Sequence, residues 1–421
     1  MKTRKTLVCG ILAVVLTLVF AACPEPEESG GELAFELINN GTAYRVRKGT
    51  VRDGAVVIPA TYKGLPVTEI EGFSSPYITS VTIPDSVTSI NSGTFYGCTS
   101  LTSVTIGANV TVIGEMAFKR CTSLTSITLP ASVTTIGKEA FYECTSLTSI
   151  TIPDSVTSID SGTFYSCTGL TSITLGVSVT TIGGDAQTYG IADAARRVFS
   201  GCTSLTVITV NSGNPNFASE GGVLYNKDKT QILTVPLGIT TVTIPASVAI
   251  VGSMYGSMFN DCTRLTAITV DSGNSNFASD GGVLYNKNKT ELIRAPEGIT
   301  AVTIPNGVTT IKGQAFSMCE SLTSIIIPDS VTTIDVWAFT YCTSLTSITI
   351  PSNVIIDPEA FRDCTSLRSV TIGTNVDLKK FANDATSTVF PGDLDSVYTT
   401  TNSKAAGTYT SANGSSWTKQ S

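Results

Sequence analysis

The chain has 421 residues, enough for two or three ordinary domains, yet only 14% are charged and Thr, Ser, Val and Ile dominate, so strand-formers prevail. It contains no histidine, which removes Ser-His-Asp and Cys-His nucleophile systems, histidine-based metal sites and the HExxH motif. A formal net charge of −7 without a basic cluster argues against a nucleic-acid partner.

Residues 1–22 read as an export signal. Lys2, Arg4 and Lys5 precede an apolar run over 7–20, short for a membrane span, and small residues lead to Cys23. Ala21-Ala22-Cys23 resembles the lipobox of bacterial lipoproteins, with Phe20 in place of the usual Leu. The resemblance implies that residues 1–22 are a lipoprotein signal peptide and that Cys23 carries the lipid. Residues 23–32 are acidic and rich in Pro and Gly, as a flexible tether is. Residues 33–77 read as an N-terminal cap, within which 56–77 form a degenerate first coil.

A repeat then takes over. Cys98, Cys121, Cys144 and Cys167 are each 23 residues apart, as are Cys319 and Cys342, and Cys364 follows after 22. Such a period signals a solenoid, here over residues 78–388. In "LTSITIPDSVTSIDSGTFYSC" (147–167), Ile150 and Ile152 alternate with polar residues and share one strand face. Pro153 ends the strand, and Gly107, Gly176 and Gly373 hold the same place elsewhere. Val156 and Ile159 point inward from a second short extended segment. Phe164 and Cys167 do so from a short helical or 3₁₀ turn. One coil cannot bury this set alone, so stacked coils must share a core.

Three coils are enlarged. The fifth carries extra residues around 183–197. The sixth and eighth carry near copies of one module, "NSGNPNFASEGGVLYNKDKTQILTVP" (211–236) and "DSGNSNFASDGGVLYNKNKTELIRAP" (271–296). Each reads as a β-hairpin insert. Their Asn/Asp-rich leads fit turn chemistry better than a calcium loop. Residues 389–421, rich in Ser, Thr and Gly, read as a C-terminal cap or disordered tail.

The pattern Leu-x-x-Ile-x-Ile-Pro-x-x-Val-x-x-Ile-x-x-x-Ala-Phe-x-x-Cys resembles the BspA-like leucine-rich repeat over about residues 45–385. "GLPVTEI" and "GGVLYNKDKT" resemble that family's first coil and hairpin inserts. The resemblance implies a β-rich, horseshoe-like leucine-rich-repeat solenoid with one parallel strand per coil. With the lipobox, it implies display on a cell surface or outer membrane and adhesion to host proteins or other bacteria.

No catalytic motif accompanies the repeat. There is no P-loop, the carboxylates are scattered, and no CxxC pair offers a zinc site. Neither an enzyme nor a cofactor is expected. The nine repeat cysteines, 98 to 364, are expected to be packed thiols, because stacked side chains point the same way and nine is odd. The inter-coil spacing still permits some disulfide. A threonine column (Thr105, Thr128, Thr151, Thr174, Thr209 onward) faces outward, broken only by Ile326. Thr suits an exposed strand, and such a hydroxyl array also suits a glycan, a partner protein or ordered water.

The two residues between Phe and Cys vary most and should line a solvent edge. This places Tyr96, Arg120, Tyr142, Tyr165, Tyr341 and Arg362 on a candidate binding surface, with Tyr225 and Tyr285 on the hairpins. The expected function is therefore a lipid-anchored, monomeric surface protein whose solenoid binds a host or bacterial protein or glycan. The alternative is an architectural envelope spacer without a dedicated ligand.

Overall fold

The computed structural model describes residues 31–420 except 185–190, 254–255 and 382–386. The export signal and Cys23 lie outside the described residues. The chain winds into a β-solenoid of about 14 turns.

Each regular coil has three sides. The first is a parallel sheet in which every residue sits beside its equivalent one coil on. Ser149–Thr151 pairs with Ser172–Leu175, and that strand with Val207–Val210. The second side is a narrower parallel sheet, in which Thr310–Ile311, Thr333–Ile334 and Ile355–Ile356 pair in turn. The alternation read from the sequence sets the faces: Ile150, Ile152, Val156 and Ile159 are buried, while Ser149 and Thr151 face solvent.

The third side contains the i→i−3 bonds of a 3₁₀ turn but no helix. Ala117 N–H donates to Gly114 O, Lys119 to Met116 and Cys121 to Phe118, so the turns are chained two residues apart. Left-handed residues separate them, including Met116, Arg120, Glu139 and Glu143. The intervening N–H groups cross to the next coil, Phe118 to Ala140 O and Arg120 to Tyr142 O. The third side is thus a hydrogen-bonded ladder too. Its phenylalanines stack, with Phe118–Phe141 at 5.5 Å and Phe339–Phe361 at 4.8 Å between centroids.

At the first corner, Pro and Gly alternate because neighbouring coils touch there. A Cβ on Gly107 would lie 2.3 Å from Pro84 O, and one on Gly176 would lie 2.5 Å from Pro153 O. Asp154 Oδ1 ties the same corner by accepting from Val177 N–H at 2.8 Å.

Both ends are closed. Ala34–Ile38 runs antiparallel to Ala43–Arg47, which joins the second sheet beside Leu65–Glu71. Arg45 lies 2.7 Å from Glu69, 3.4 Å from Glu71 and 3.6 Å from Glu36. At the other end, Gly407–Thr410 runs antiparallel to Ser369–Ile372 and covers the edge of the first sheet. Val389, Phe390, Leu394, Tyr398, Tyr409 and Trp417 of the same segment are buried. The described part of the C-terminal segment forms strands and a short helix against the last coil.

The two inserts are three-stranded antiparallel meanders, one strand more than a hairpin. They comprise Phe217–Glu220, Val223–Asn226 and Ile232–Thr234, and then Phe277–Asp280, Val283–Asn286 and Glu291–Arg294. The last strand of the second module pairs with Thr310–Ile311 and so becomes a rung of the second sheet. In the first sheet the inserts stand in for a missing neighbour. Gly222 O accepts from Ile208 N–H at 2.9 Å, and Ser219 Oγ from Val210 N–H at 2.9 Å.

Candidate binding surface

All nine repeat cysteines are buried free thiols. Most hydrogen-bond to the coil before. The Sγ–H of Cys121, Cys144, Cys167 and Cys364 lies 3.1 Å from the carbonyl of Phe95, Phe118, Phe141 and Phe339 respectively. That carbonyl already accepts the N–H of the cysteine in its own coil, as Phe95 O does from Cys98. The thiol therefore occupies a second lone pair that would otherwise be wasted in the core. Burial pushes the thiols of Cys144, Cys202, Cys262 and Cys319 up to about 12, so they stay protonated and unreactive at neutral pH. Among the described residues, no cluster of Cys, Asp and Glu has the arrangement of a metal site.

Within each run of paired strands the threonine column is in register: Thr82 beside Thr105, Thr151 beside Thr174, Thr174 beside Thr209. Threonines at the entrance to the first strand add a second function. Thr148 and Thr171 donate their hydroxyls to the carbonyls of Thr125 and Thr148 one coil back, at 3.2 and 2.9 Å. Ile326 interrupts the column as an exposed apolar side chain.

The solvent edge forms because Phe points inward and the next two residues then turn out. Tyr96, Lys119, Tyr142 and Tyr165 fill one column on successive coils. Lys119 Nζ lies 4.2 Å from the Tyr142 ring centroid and 2.5 Å from Glu139 Oε2. The Tyr142 and Tyr165 rings stack at 4.8 Å. Arg120, in the neighbouring column, bonds Glu143 at 2.8 Å. Glu143 first, then Tyr96, raises the Arg120 pKa. The structure therefore brings Tyr96, Arg120, Tyr142 and Tyr165 together.

Tyr341 and Arg362 lie in a separate patch beyond the meanders. Arg362 bonds Glu359 at 3.0 Å, and Trp337 Nε1 donates to the same carboxylate at 2.8 Å. Trp337 and Met318 were not foreseen. Both are exposed, and both have φ near +60°, where bulky residues are rare. Trp337 fills the slot held by Met116, Glu139, Gln314 and Glu359 in other coils. An aromatic in so polar a slot was the available signal.

Tyr225 and Tyr285 do not belong to any surface. They are 1% and 0% exposed, because the middle strand of each meander is covered on both faces. Burial raises both hydroxyls above their ordinary range. Two of the eight candidate contact residues are core residues instead.

A three-sided solenoid with one Leu-x-x-Ile-x-Ile strand per coil and a Phe/Cys turn defines a class of leucine-rich repeat. The sequence model of the BspA type leucine rich repeat region matches residues 69–191 and 294–406, in 6 copies. The chain belongs to this family. The unmatched stretch between them holds most of the helix Ile191–Val198 and both meanders up to residue 293.

No curated protein matches the chain. Among solved structures it is similar to a leucine rich cell surface protein from Faecalibacterium prausnitzii, with 29% identity over 84% of this chain and 96% of that one, at a TM-score of 0.44. It is similar to a leucine-rich repeat protein from Bacteroides ovatus, with 26% identity over 82% and 88%, at 0.49. A leucine-rich repeat protein of T. pallidum is 29% identical over 44% of this chain and 81% of its own, at 0.38. Among the described residues, no helix is long and apolar enough to cross a membrane.

Proposed function

We propose that this chain is a surface-displayed binding protein, anchored through lipid on Cys23, that holds a protein or glycan partner on the turn edge of its solenoid. Residues 1–22 are the signal peptide in this reading and 23–32 the tether. Residues 33–77 are the first cap, 78–388 the repeat and 389–421 the second cap. The protein acts as a monomer, at the outer membrane or cell surface, in adhesion rather than catalysis.

The observation that carries the reading is the Lys119–Tyr142–Tyr165 row with Arg120 and Tyr96 beside it. Aromatic and arginine side chains are the usual anchors of binding energy. Here backbone ladders hold them on consecutive rungs, which lowers the entropy lost on binding. The uncharged Ser/Thr face favours the spacer reading, since nothing on that face selects a partner.

Two measurements decide between them. Proteolysis of whole cells should remove the repeat if it is outside the cell. The purified chain should then retain a partner from an array of matrix proteins and glycans. A Tyr142→Ala, Tyr165→Ala variant should weaken that binding about tenfold or more, the loss of one or two hot spots. Unchanged attachment in that variant and in Arg362→Ala would leave the spacer reading standing.

A further inference from the structure

The first coils carry a cleft that adjoins the Tyr96 end of the aromatic row and has its own lining. Their third side, 73–78, is one residue shorter than its counterpart 95–101 and places Ser75 near the later cysteine slot. Ser75 is buried, and its hydroxyl donates to Arg52 O at 2.9 Å, much as the cysteine thiols bond one coil back. The shorter side leaves a cleft of about 430 Å³ between the loop 48–53 and the turn 74–77.

Its walls bring two cations together. Lys48 and Arg52 both line it, and among the described residues neither makes an ion pair. Among the described residues, the only hydrogen bond of the Lys48 ammonium is to Ser74 O at 3.4 Å. Tyr77 stands at the rim, 65% exposed. Asp53 is the single carboxylate of the wall, which leaves it with one net positive charge. Ser74 gives its hydroxyl hydrogen to Tyr96 O at 2.5 Å, so its oxygen is free to accept.

We propose that this cleft binds an acidic saccharide. The carboxylate or sulfate of the sugar pairs with Lys48 and Arg52, the guanidinium offering a two-pronged contact. Sugar hydroxyls donate to Asp53 and to Ser74 Oγ. The apolar face of the ring lies on Tyr77, whose own hydroxyl stays in water. An inorganic anion uses only the two cations and meets repulsion from Asp53. A neutral sugar leaves both cations without a partner. The volume lies within the range of small-ligand sites.

The test is calorimetry of the purified chain with an unsulfated glucuronic-acid disaccharide, with its neutral methyl ester, and with sodium sulfate. The acidic disaccharide should bind about tenfold or more tighter than its ester, with affinity falling as salt is added. Lys48→Gln with Arg52→Gln should cost about tenfold or more, and Tyr77→Ala a severalfold loss. These side chains lie at the surface, and an unchanged melting midpoint checks that each variant folds. Lys138→Gln, at an exposed cation outside the cleft, should bind the disaccharide as the parent does. The turn-edge reading is tested by Tyr142 and Tyr165 variants on the array, so its failure is distinguishable from failure here. Equal binding of the ester, equal competition by sulfate, or no binding of the acidic disaccharide at millimolar concentration overturns the proposal.

Discussion

The modules 211–236 and 271–296 are nearly the same text and fold in the same way, yet they bury different chemistry. Asn214 and Asn274 staple each to the preceding corner. Asn214 donates to Gly176 O and Val179 O at 3.0 and 2.9 Å, and Asn274 to Pro245 O and Val248 O at 2.8 and 2.9 Å. Each Oδ1 then accepts two backbone N–H groups, from Asn216 and Phe217 or from Asn276 and Phe277. The modules part at their ends. The first continues with Thr234 and Leu237, and the second with Arg294 and Glu297. Arg294 and Glu297 form an ion pair at 2.8 Å with side chains 2% and 1% exposed.

The pair sits beside a small residue of the core, Ala295. Ala295 N–H donates to Ala315 O, the bond that a phenylalanine makes in regular coils, so this coil has Ala in the Phe slot. The buried side chains also divide here into two clusters. Leu284 belongs to the first, while Val283 and Tyr285, on the opposite face of the same strand, belong to the second. Arg294 donates to Gln314 O at 2.5 Å, and Glu297 accepts from Asp261 N–H at 3.2 Å, so the pair stitches neighbouring coils across the seam. The cost shows in Arg294 Nε and Glu297 Oε2, which have no hydrogen-bond partner among the described residues. The same backbone thus tolerates either an uncharged or an ionic filling, and only the ionic one couples the seam to pH.

Breaking one partner tests this most severely. Arg294→Thr alone should cost about 3–5 kcal/mol, because Glu297 is left buried and uncompensated. Adding Glu297→Leu copies the first module and should recover most of the loss, or exceed the parent, in denaturant melts. A double variant as weak as the single one would show that the ionic filling is required. Next in size, Asn214→Ala and Asn274→Ala should each cost about 3 kcal/mol, from several buried groups left unpaired. Markedly unequal losses would show that the modules are not equivalent staples.

The pH dependence follows from Glu297. Burial outweighs Arg294 and lifts its carboxyl from the ordinary value of 4.5 to about 7. The folded state therefore holds a proton that the unfolded state releases. Stability from this group is full below about 4.5 and is lost as pH rises through about 7. Relative to the Thr/Leu double variant, the parent should weaken over that window by on the order of 2–3 kcal/mol. Parallel stability curves for the two proteins would reject the shift. The smallest effect belongs to the surface pairs Lys229–Glu220 (2.5 Å) and Lys289–Asp280 (2.6 Å). Lys229→Gln and Lys289→Gln should each change stability by about 1 kcal/mol or less, and equally.

Much of the coil was legible because its rules are local. Ile150 and Ile152 show their face by alternation, and a 23-residue period brings Cys98, Cys121, Cys144 and Cys167 onto one another. The candidate edge was legible in part. Tyr142 and Tyr165 stack because they occupy one slot of the repeat, which a sequence displays. Tyr225 was misplaced because the polar Asn-Lys-Asp-Lys stretch beside it suggested an exposed hairpin. Val223-Leu224-Tyr225 is nevertheless an unbroken apolar run, the mark of a strand covered on both sides. The Lys48–Arg52 cleft was not legible, since its walls come from two coils and its volume from one missing residue.

By itself, the sequence determined the period, the inward set of Leu, Ile, Val, Phe and Cys, and the family. These depend on side-chain spacing along one chain, repeated until no other stacking satisfies it. Only the tertiary structure decided which carbonyl each thiol meets, where the two meanders divide the core, and which tyrosines reach water. Those depend on contacts between coils, where a Thr or an Arg at one position is judged by what the next coil leaves beside it.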